Sequence, residues 1–161
     1  MTPSGSGWIE NTLYTFHNLS DGAFPQSGLI FDQSGNLYGT TSAWATCTGG
    51  TVFKLVPSIG DWTLTTLHSF TGCVGPEASL VMDAAGDLYG TTFSDGAYGG
   101  NVFKLTFYNG GWTYTSLHDF TGGSDGGVPL SNVIFDANGN LYGTASRGGA
   151  YGYGVVWQIT P

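Results

Sequence analysis

The sequence predicts an all-β protein, a β-propeller with three four-stranded blades in each chain. The chain has 161 residues, of which 28 are glycine and 15 % are aromatic, and this composition favours strands and tight turns over helices. A unit of about fifty residues occurs three times, and each copy contains four segments with strand character, as a propeller blade does. These observations together define the expected architecture.

The first strand of each unit is an apolar segment that ends in aspartate. These segments are 28–32, 79–83 and 132–136, and the aspartates are Asp32, Asp83 and Asp136. A glycine follows three residues after each aspartate. We therefore expect a hairpin turn in which the aspartate accepts backbone N–H groups and the glycine takes a positive φ.

The second strand carries the best preserved motif, Leu-Tyr-Gly-Thr, within segments 36–41, 87–92 and 140–145. Its leucines, Leu37, Leu88 and Leu141, are 51 and 53 residues apart. The glycine of the motif has no side chain to pack, so we expect it to mark the close approach of an adjacent blade or a β-bulge.

The third and fourth strands complete the unit. The third has the pattern Val-Phe-Lys-Leu or a relative of it, at 52–55, 102–105 and 156–159. The fourth begins with tryptophan and ends with phenylalanine, at 8–16, 62–70 and 112–120. We therefore divide the chain into a flexible segment, 1–7, and a three-blade unit, 8–161.

Three motifs together resemble the GloVer-type tandem repeat of extracellular bacterial proteins. They are the Asp-x-x-Gly-Asn-Leu-Tyr-Gly-Thr, Gly-x-Val-Phe-Lys-Leu and Trp-Thr-x-Thr-x-Leu-x-x-Phe patterns, which cover nearly the whole chain after Gly7. The resemblance implies a secreted, β-propeller-like array. It implies no assigned reaction and therefore no catalytic residues.

The order of the strands predicts self-association. A fourth strand, 8–16, precedes the first complete blade, while the last blade lacks its fourth strand. Three blades are too few for a propeller, which usually has four to eight. We expect strand 8–16 to complete the last blade of a partner subunit, with six blades in a homodimer favoured over nine in a homotrimer. The alternative is that the chain is a piece of a longer array.

The charge of the chain limits the classes of partner that it is expected to bind. Three basic residues face eleven acidic ones, for a formal net charge of −8, so we expect binding neither to nucleic acid nor to an anionic membrane. Residues 1–7 lack the basic and apolar regions of a secretion signal, so a secreted chain would be in a mature or trimmed form. We expect no metal and no other cofactor.

We expect the cysteines and the repeated histidines to have structural roles. Cys47 and Cys73 lie in connections that should emerge on one face of a blade, so a disulfide bond between them is expected, with free thiols as the alternative. His68 and His118 share one repeat position, at which the first copy has Tyr14. This periodicity indicates packing and not catalysis.

The loops that differ between the repeats are the candidate ligand site. They join the second strand to the third and one blade to the next, and loops on a rigid scaffold are where binding usually resides. Aromatic faces beside carboxylates and hydroxyls suit a neutral glycan. The candidates are Trp44, Tyr98, Tyr151, Tyr153, Asp21, Asp95, Asp125 and Arg147. The alternative is that the tyrosines clamp the loops onto the neighbouring blade.

Three classes of function remain open. A binding or recognition module is the first choice, because no reacting constellation of side chains can be named. A structural repeat without a ligand is the second. An enzyme acting on polysaccharide, with carboxylates across the mouth of the channel, is the third.

Overall fold

The computed structural model describes residues 2–4, 7–17, 21–42, 49–93 and 99–161. Among these residues the chain forms thirteen β-strands and no helix, which confirms the all-β prediction. The described part of the chain accordingly contains no helix of the length and apolarity that would span a membrane.

Three antiparallel sheets follow one another along the chain, and each has the strand order of the sequence. Sheet 1 contains β3 (Ile30–Phe31), β4 (Leu37–Thr41), β5 (Thr51–Ser58) and β6 (Asp61–Ser69). Sheet 2 contains β7 (Val81–Met82), β8 (Leu88–Thr92), β9 (Asn101–Tyr108) and β10 (Gly111–Asp119). Sheet 3 contains β11 (Ile134–Phe135), β12 (Leu141–Ala145) and β13 (Val155–Ile159). Each sheet is thus one copy of the repeat.

A short hairpin precedes the sheets. β1 (Thr2–Ser4) pairs with β2 (Gly7–Ile9). The predicted strand 8–16 is a strand only as far as Ile9, and residues 10–17 have no ladder partner within the described part of the chain. The physical reason is that no described strand lies along their edge.

The first strand of each sheet is shorter than predicted, with two residues in place of five. Just before this strand, the backbone turns toward the next sheet. The Gly28 N–H donates to Ser79 Oγ at 2.8 Å, and the Ser79 N–H donates to Asn132 Oδ1 at 2.8 Å. These three residues share one repeat position, so the same bond links sheet 1 to sheet 2 and sheet 2 to sheet 3.

The turn after the first strand forms as predicted. Asp32 Oδ1 accepts the N–H groups of Ser34 and Asn36, both at 2.9 Å, and Gly35 has a φ of 81°. The Tyr38 hydroxyl donates to Asp32 Oδ2 at 3.1 Å, which ties the turn to the second strand. Asp83 and Asp136 make the equivalent bonds.

The glycine of the second strand is approached by its own sheet. A Cβ atom on Gly90 would lie 2.7 Å from Phe103 Cζ and 3.1 Å from Leu80 Cδ2. Phe103 is the direct ladder partner of Gly90, and the pairing of β8 with β9 is continuous there. The expectation of an adjacent blade or a bulge is therefore wrong, because a cross-strand aromatic ring covers the glycine.

The hydrophobic core lies between the sheets. Phe70 from the end of β6 packs on Phe103 of sheet 2, with ring centroids 5.5 Å apart. Phe120 from sheet 2 approaches Trp157 of sheet 3 in the same way, at 5.9 Å. Each copy of the repeat therefore buries its third strand against the copy before it, and three apolar clusters form along the chain.

Candidate binding site

The described parts of the variable loops lie together at one end of the sheets. The Gly50 N–H, just before β5, donates to the carbonyl oxygen of Val74 in the connection between sheets 1 and 2, at 2.8 Å. The Val128 N–H, in the connection between sheets 2 and 3, donates to the Gly99 carbonyl at 2.6 Å. The described residues of both kinds of loop (49–50, 71–78, 99–100, 121–131 and 146–154) thus lie on one surface, which we call the loop face.

The last part of the loop face is built on glycine backbone. Gly127 and Arg147 exchange two backbone hydrogen bonds at 3.0 Å, and the Gly149 N–H donates to the Gly123 carbonyl at 2.8 Å. A side chain at Gly148 would place its Cβ 2.5 Å from the Gly123 carbonyl oxygen, so only glycine permits this approach. The loop 146–154 is consequently fixed to the preceding connection.

Two tyrosines project from this fixed loop into solvent. Tyr151 is 88 % exposed and Tyr153 is 92 % exposed. Arg147 is also exposed and forms no salt bridge with a residue that the structure describes. A loop of aromatic, hydroxyl and guanidinium groups is thereby held open to solvent, and neither tyrosine is packed against the neighbouring sheet.

The candidate carboxylates Asp125 and Asp21 support the loops that carry them. Asp125 Oδ2 accepts the Thr121 N–H at 2.9 Å, and the Thr121 hydroxyl donates to Asp125 Oδ1. These bonds, together with nearby His118, hold the pKa of Asp125 below its ordinary value despite some burial. Asp21 accepts the equivalent backbone bond from His17 at 3.0 Å.

Asp21 and Asp125 occupy one repeat position but different loops, before sheet 1 and before sheet 3. The loop that carries Asp125 is hydrogen-bonded to the loop that carries Arg147, Tyr151 and Tyr153, whereas Asp21 lies before sheet 1, at the other end of the array. The structure therefore brings four of the candidates onto two hydrogen-bonded loops and leaves Asp21 apart from them.

The repeated histidines are packed, as their periodicity indicates. The His68 ring stacks on Tyr114 of the next sheet with centroids 4.6 Å apart, and His118 packs edge-on against Phe120 at 4.7 Å. His118 Nε2 also lies 3.3 Å from Asp125 Oδ2. This last contact, which the sequence pattern did not indicate, ties the fourth strand of sheet 2 to the loop face.

Four predicted residues lie outside the described part of the chain: Trp44, Cys47, Asp95 and Tyr98. The roles of Trp44, Asp95 and Tyr98 as ligand contacts and of Cys47 as a disulfide partner therefore stay predictions. Cys73 is exposed and is disulfide-bonded.

A second concave surface runs along the free edge of β13. The groove has a volume of about 350 Å³. It is lined by the end of the fourth strand of sheet 2, by the following loop and by β13 itself: His118, Phe120, Ser124, Asp125 and 155–159. Comparison of the repeats identifies this edge of β13 as free, since the equivalent strands of sheets 1 and 2, β5 and β9, pair on that side with a fourth strand.

The three equivalent sheets, their repeated inter-sheet contacts and their variable loops define an all-β tandem repeat protein. The chain belongs to the Gloeobacter/Verrucomicrobia repeat family, whose sequence profile matches residues 1–161. This confirms the resemblance to the GloVer repeat. A comparison with curated proteins finds no match.

Proposed function

We propose that the protein is an extracellular binding module that recognises neutral carbohydrate through the loop face. Tyr151 and Tyr153 are the central ligand contacts in this proposal, with Arg147 beside them. Aromatic faces stack on the C–H faces of sugars, while hydroxyl and guanidinium groups serve the sugar hydroxyls.

The observation that carries the proposal is the exposure of both tyrosines on a loop that backbone hydrogen bonds fix in place. Large aromatic side chains held in water by a rigid loop are typical of binding surfaces, since fixed aromatics lose little conformational entropy on contact. The few charges of the chain also suit a neutral ligand better than a charged one.

We further propose that each sheet is a blade of a propeller and that copies of the chain close the ring, with a six-bladed dimer favoured over a nine-bladed trimer. The repeated hydrogen bonds and phenylalanine contacts between successive sheets support this arrangement. In such a ring the loop face is presented once per chain, so a polymeric ligand would be bound at several points.

A glycan array followed by titration of the hits tests the binding function. We expect Tyr151→Ala and Tyr153→Ala to weaken binding of a hit at least about tenfold, because truncation removes an anchoring aromatic contact. The melting temperature should stay near that of the unchanged chain, since both side chains are exposed.

Tyr108→Ala is the matched control. Tyr108 is 71 % exposed, but it lies at the end of β9, beside the hairpin to β10 at the opposite end of the sheet. This variant should bind as the unchanged chain does. An array without hits, or tyrosine variants that bind normally, would contradict the proposal and favour a structural role.

A further inference from the structure

Equivalent residues of the repeat have opposite exposure at the two ends of the array. Leu80 and Val133 are 1 % and 0 % exposed, because each packs in a cluster with residues of the preceding sheet, whereas the equivalent Leu29 of sheet 1 is 51 % exposed. At the other end, Val156 of sheet 3 is 80 % exposed. Its equivalents in the first two sheets are fully buried: Val52 and Val102, both 0 %.

The two exposed faces are complementary. Around Leu29, sheet 1 exposes part of the surface with which sheets 2 and 3 contact the preceding sheet, while Phe16 covers the part around Phe53. Around Val156, sheet 3 exposes the surface with which sheets 1 and 2 contact the following sheet. A second copy of this chain offers a surface of the right kind for each face. A head-to-tail contact between copies would repeat the contacts already made twice within the chain.

The N-terminal segment already holds the place of a fourth strand in front of sheet 1. Phe16 packs on Phe53 with ring centroids 5.4 Å apart, which is the contact that Phe70 makes with Phe103. The pairing of Pro3 with Trp8 in the β1–β2 hairpin likewise has the register of the Pro57–Trp62 pair between β5 and β6. Residues 8–16 therefore stand where the fourth strand of a preceding sheet would stand.

Among the described residues, sheet 3 has no tryptophan in the space that Trp62 and Trp112 occupy in the other sheets. Trp62 packs on the cluster containing Leu37 and Leu55 in sheet 1, and Trp112 packs on the cluster containing Leu88 and Leu105 in sheet 2. In sheet 3 a cavity of about 340 Å³ lies beside the equivalent aliphatic residues, Leu141 and Ile159, and Thr160 and Pro161 also line it. The tryptophan at the matching repeat position is Trp8, which is 71 % exposed.

We propose that residues 8–16 of one copy form the fourth strand of sheet 3 in a second copy, antiparallel to β13, with Trp8 in this cavity. The register follows from the two complete sheets. Lys54 pairs with Thr65, and Lys104 pairs with Thr115, so Gln158 pairs with Asn11. By the same rule Val156 pairs with Tyr14, Val155 pairs with Thr15, and Leu13 occupies the position of the irregularity at Leu67 and Leu117.

The hairpin β1–β2 limits the length of this pairing. β1 already occupies the edge opposite Trp8 and Ile9, where Thr160 and Pro161 of the second copy would otherwise lie. β13 therefore pairs with residues 10–15, and the last two residues of the chain are displaced. The inference rests on the proposed blade arrangement, and it holds whether or not the loop face binds a glycan.

Light scattering and a face variant test the contact. The unchanged chain should have two or three times its mass of 16.8 kDa. Val156→Asp places a charge on the proposed interface and should reduce the mass to 16.8 kDa. Because Val156 is exposed within the single chain, the circular dichroism spectrum should be unchanged. The matched control is Ile59→Asp, at a fully exposed hairpin tip, and this variant should stay assembled.

Cysteine pairs test the register. Asn11→Cys combined with Gln158→Cys should give disulfide-linked oligomers on a non-reducing gel, since direct cross-strand partners bring their Cβ atoms within about 4.5–5.5 Å. In the control pair, Thr15→Cys is combined with Gln158→Cys. The partner of Thr15 in the proposed register is Val155, which lies three residues, or about 10 Å, along the strand from Gln158, so this pair should not cross-link.

Two results would overturn the inference: a well-folded 16.8 kDa monomer at micromolar concentration, or cross-linking only by the pair that is out of register. Glycan binding is measured separately, with the tyrosine variants, which retain the interface. If the chain binds no glycan, the predicted mass and cross-link are unchanged. If the copies do not associate as proposed, the predicted effect of the tyrosine variants on glycan binding is unchanged.

Discussion

At the scale of single residues, the aspartate that ends each first strand organises the most regular part of the molecule. Asp32 accepts backbone N–H groups with one oxygen, while its other oxygen accepts from the side chains of Asn36 and Tyr38. Burial and the bond to Asp32 raise the pKa of Tyr38 to about 12, so the phenol stays a donor well above neutral pH. One carboxylate thus links a turn to the buried second strand.

Asp32→Ala should lower the free energy of unfolding by about 1–3 kcal/mol, because the N–H and hydroxyl donors around it lose a shared acceptor. Urea denaturation measures the change. Ser34→Ala is the matched control, since it keeps the N–H group that Asp32 accepts, and it should have little effect. Equal stability of the two variants would contradict this role of the carboxylate.

At the scale of the strand, the cross-strand pair of glycine and aromatic ring sets how tightly the second and third strands pack. Gly39, Gly90 and Gly143 each lie under the ring of their ladder partner: Phe53, Phe103 and Trp157. Phe53 and Phe103 are 2 % and 0 % exposed. Each ring covers the glycine on the neighbouring strand, and the phenylalanine of the preceding copy of the repeat packs on the same ring.

Gly90→Ala should destabilise the fold by about 1–3 kcal/mol, because the added methyl group overlaps the Phe103 ring and forces it into the inter-sheet core. Thermal denaturation gives the comparison. Gly111→Ala is the control within the same sheet: nothing lies within 4 Å of its added Cβ, and its φ is not positive. A neutral Gly90→Ala would show that the ring can shift without cost.

At the scale of the whole molecule, ionised aspartates stabilise the turns and loops of several repeats at once. The side chain of Asn140, the neighbouring N–H groups and Tyr142 hold the pKa of Asp136 below its ordinary value. Burial raises the pKa of Asp32, but the bonds from Asn36, Tyr38 and Ser34 outweigh it, and the net shift is also downward. Asp125 behaves similarly at the loop face.

The protein should therefore lose stability in acid. A lowered pKa stabilises the folded state fully above the ordinary aspartate value, about 3.9, and this stability disappears as the pH falls through the folded-state values. Urea unfolding at pH 7 and pH 3 measures the loss. Protonation also relieves repulsion from the net charge of −8, so the comparison is repeated in high salt, which screens that repulsion. Equal or greater stability at pH 3 in high salt would contradict the prediction.

The repeat made the fold class, the strand order and the aspartate turns predictable from the sequence. These features depend on local chemistry: Asp32 and Gly35 meet within one turn, and alternation in the fourth strand places Trp62 and Leu64 on one face. Local patterns of this kind recur in every copy, so comparison of the copies reveals them. The candidate loop residues were likewise found as the places where the copies differ.

The tertiary structure decided the rest, because contacts between distant segments leave no local pattern. The sequence marked the strand glycine as special, but only the packed rings of Phe53 and Phe103 show what covers it. It assigned 8–16 to a strand, but strand pairing needs a neighbour, and within the described residues the segment beyond Ile9 has none. The exposure of Leu29 and Val156, whose equivalents in the other sheets are buried, is likewise a property of packed sheets and not of any one segment.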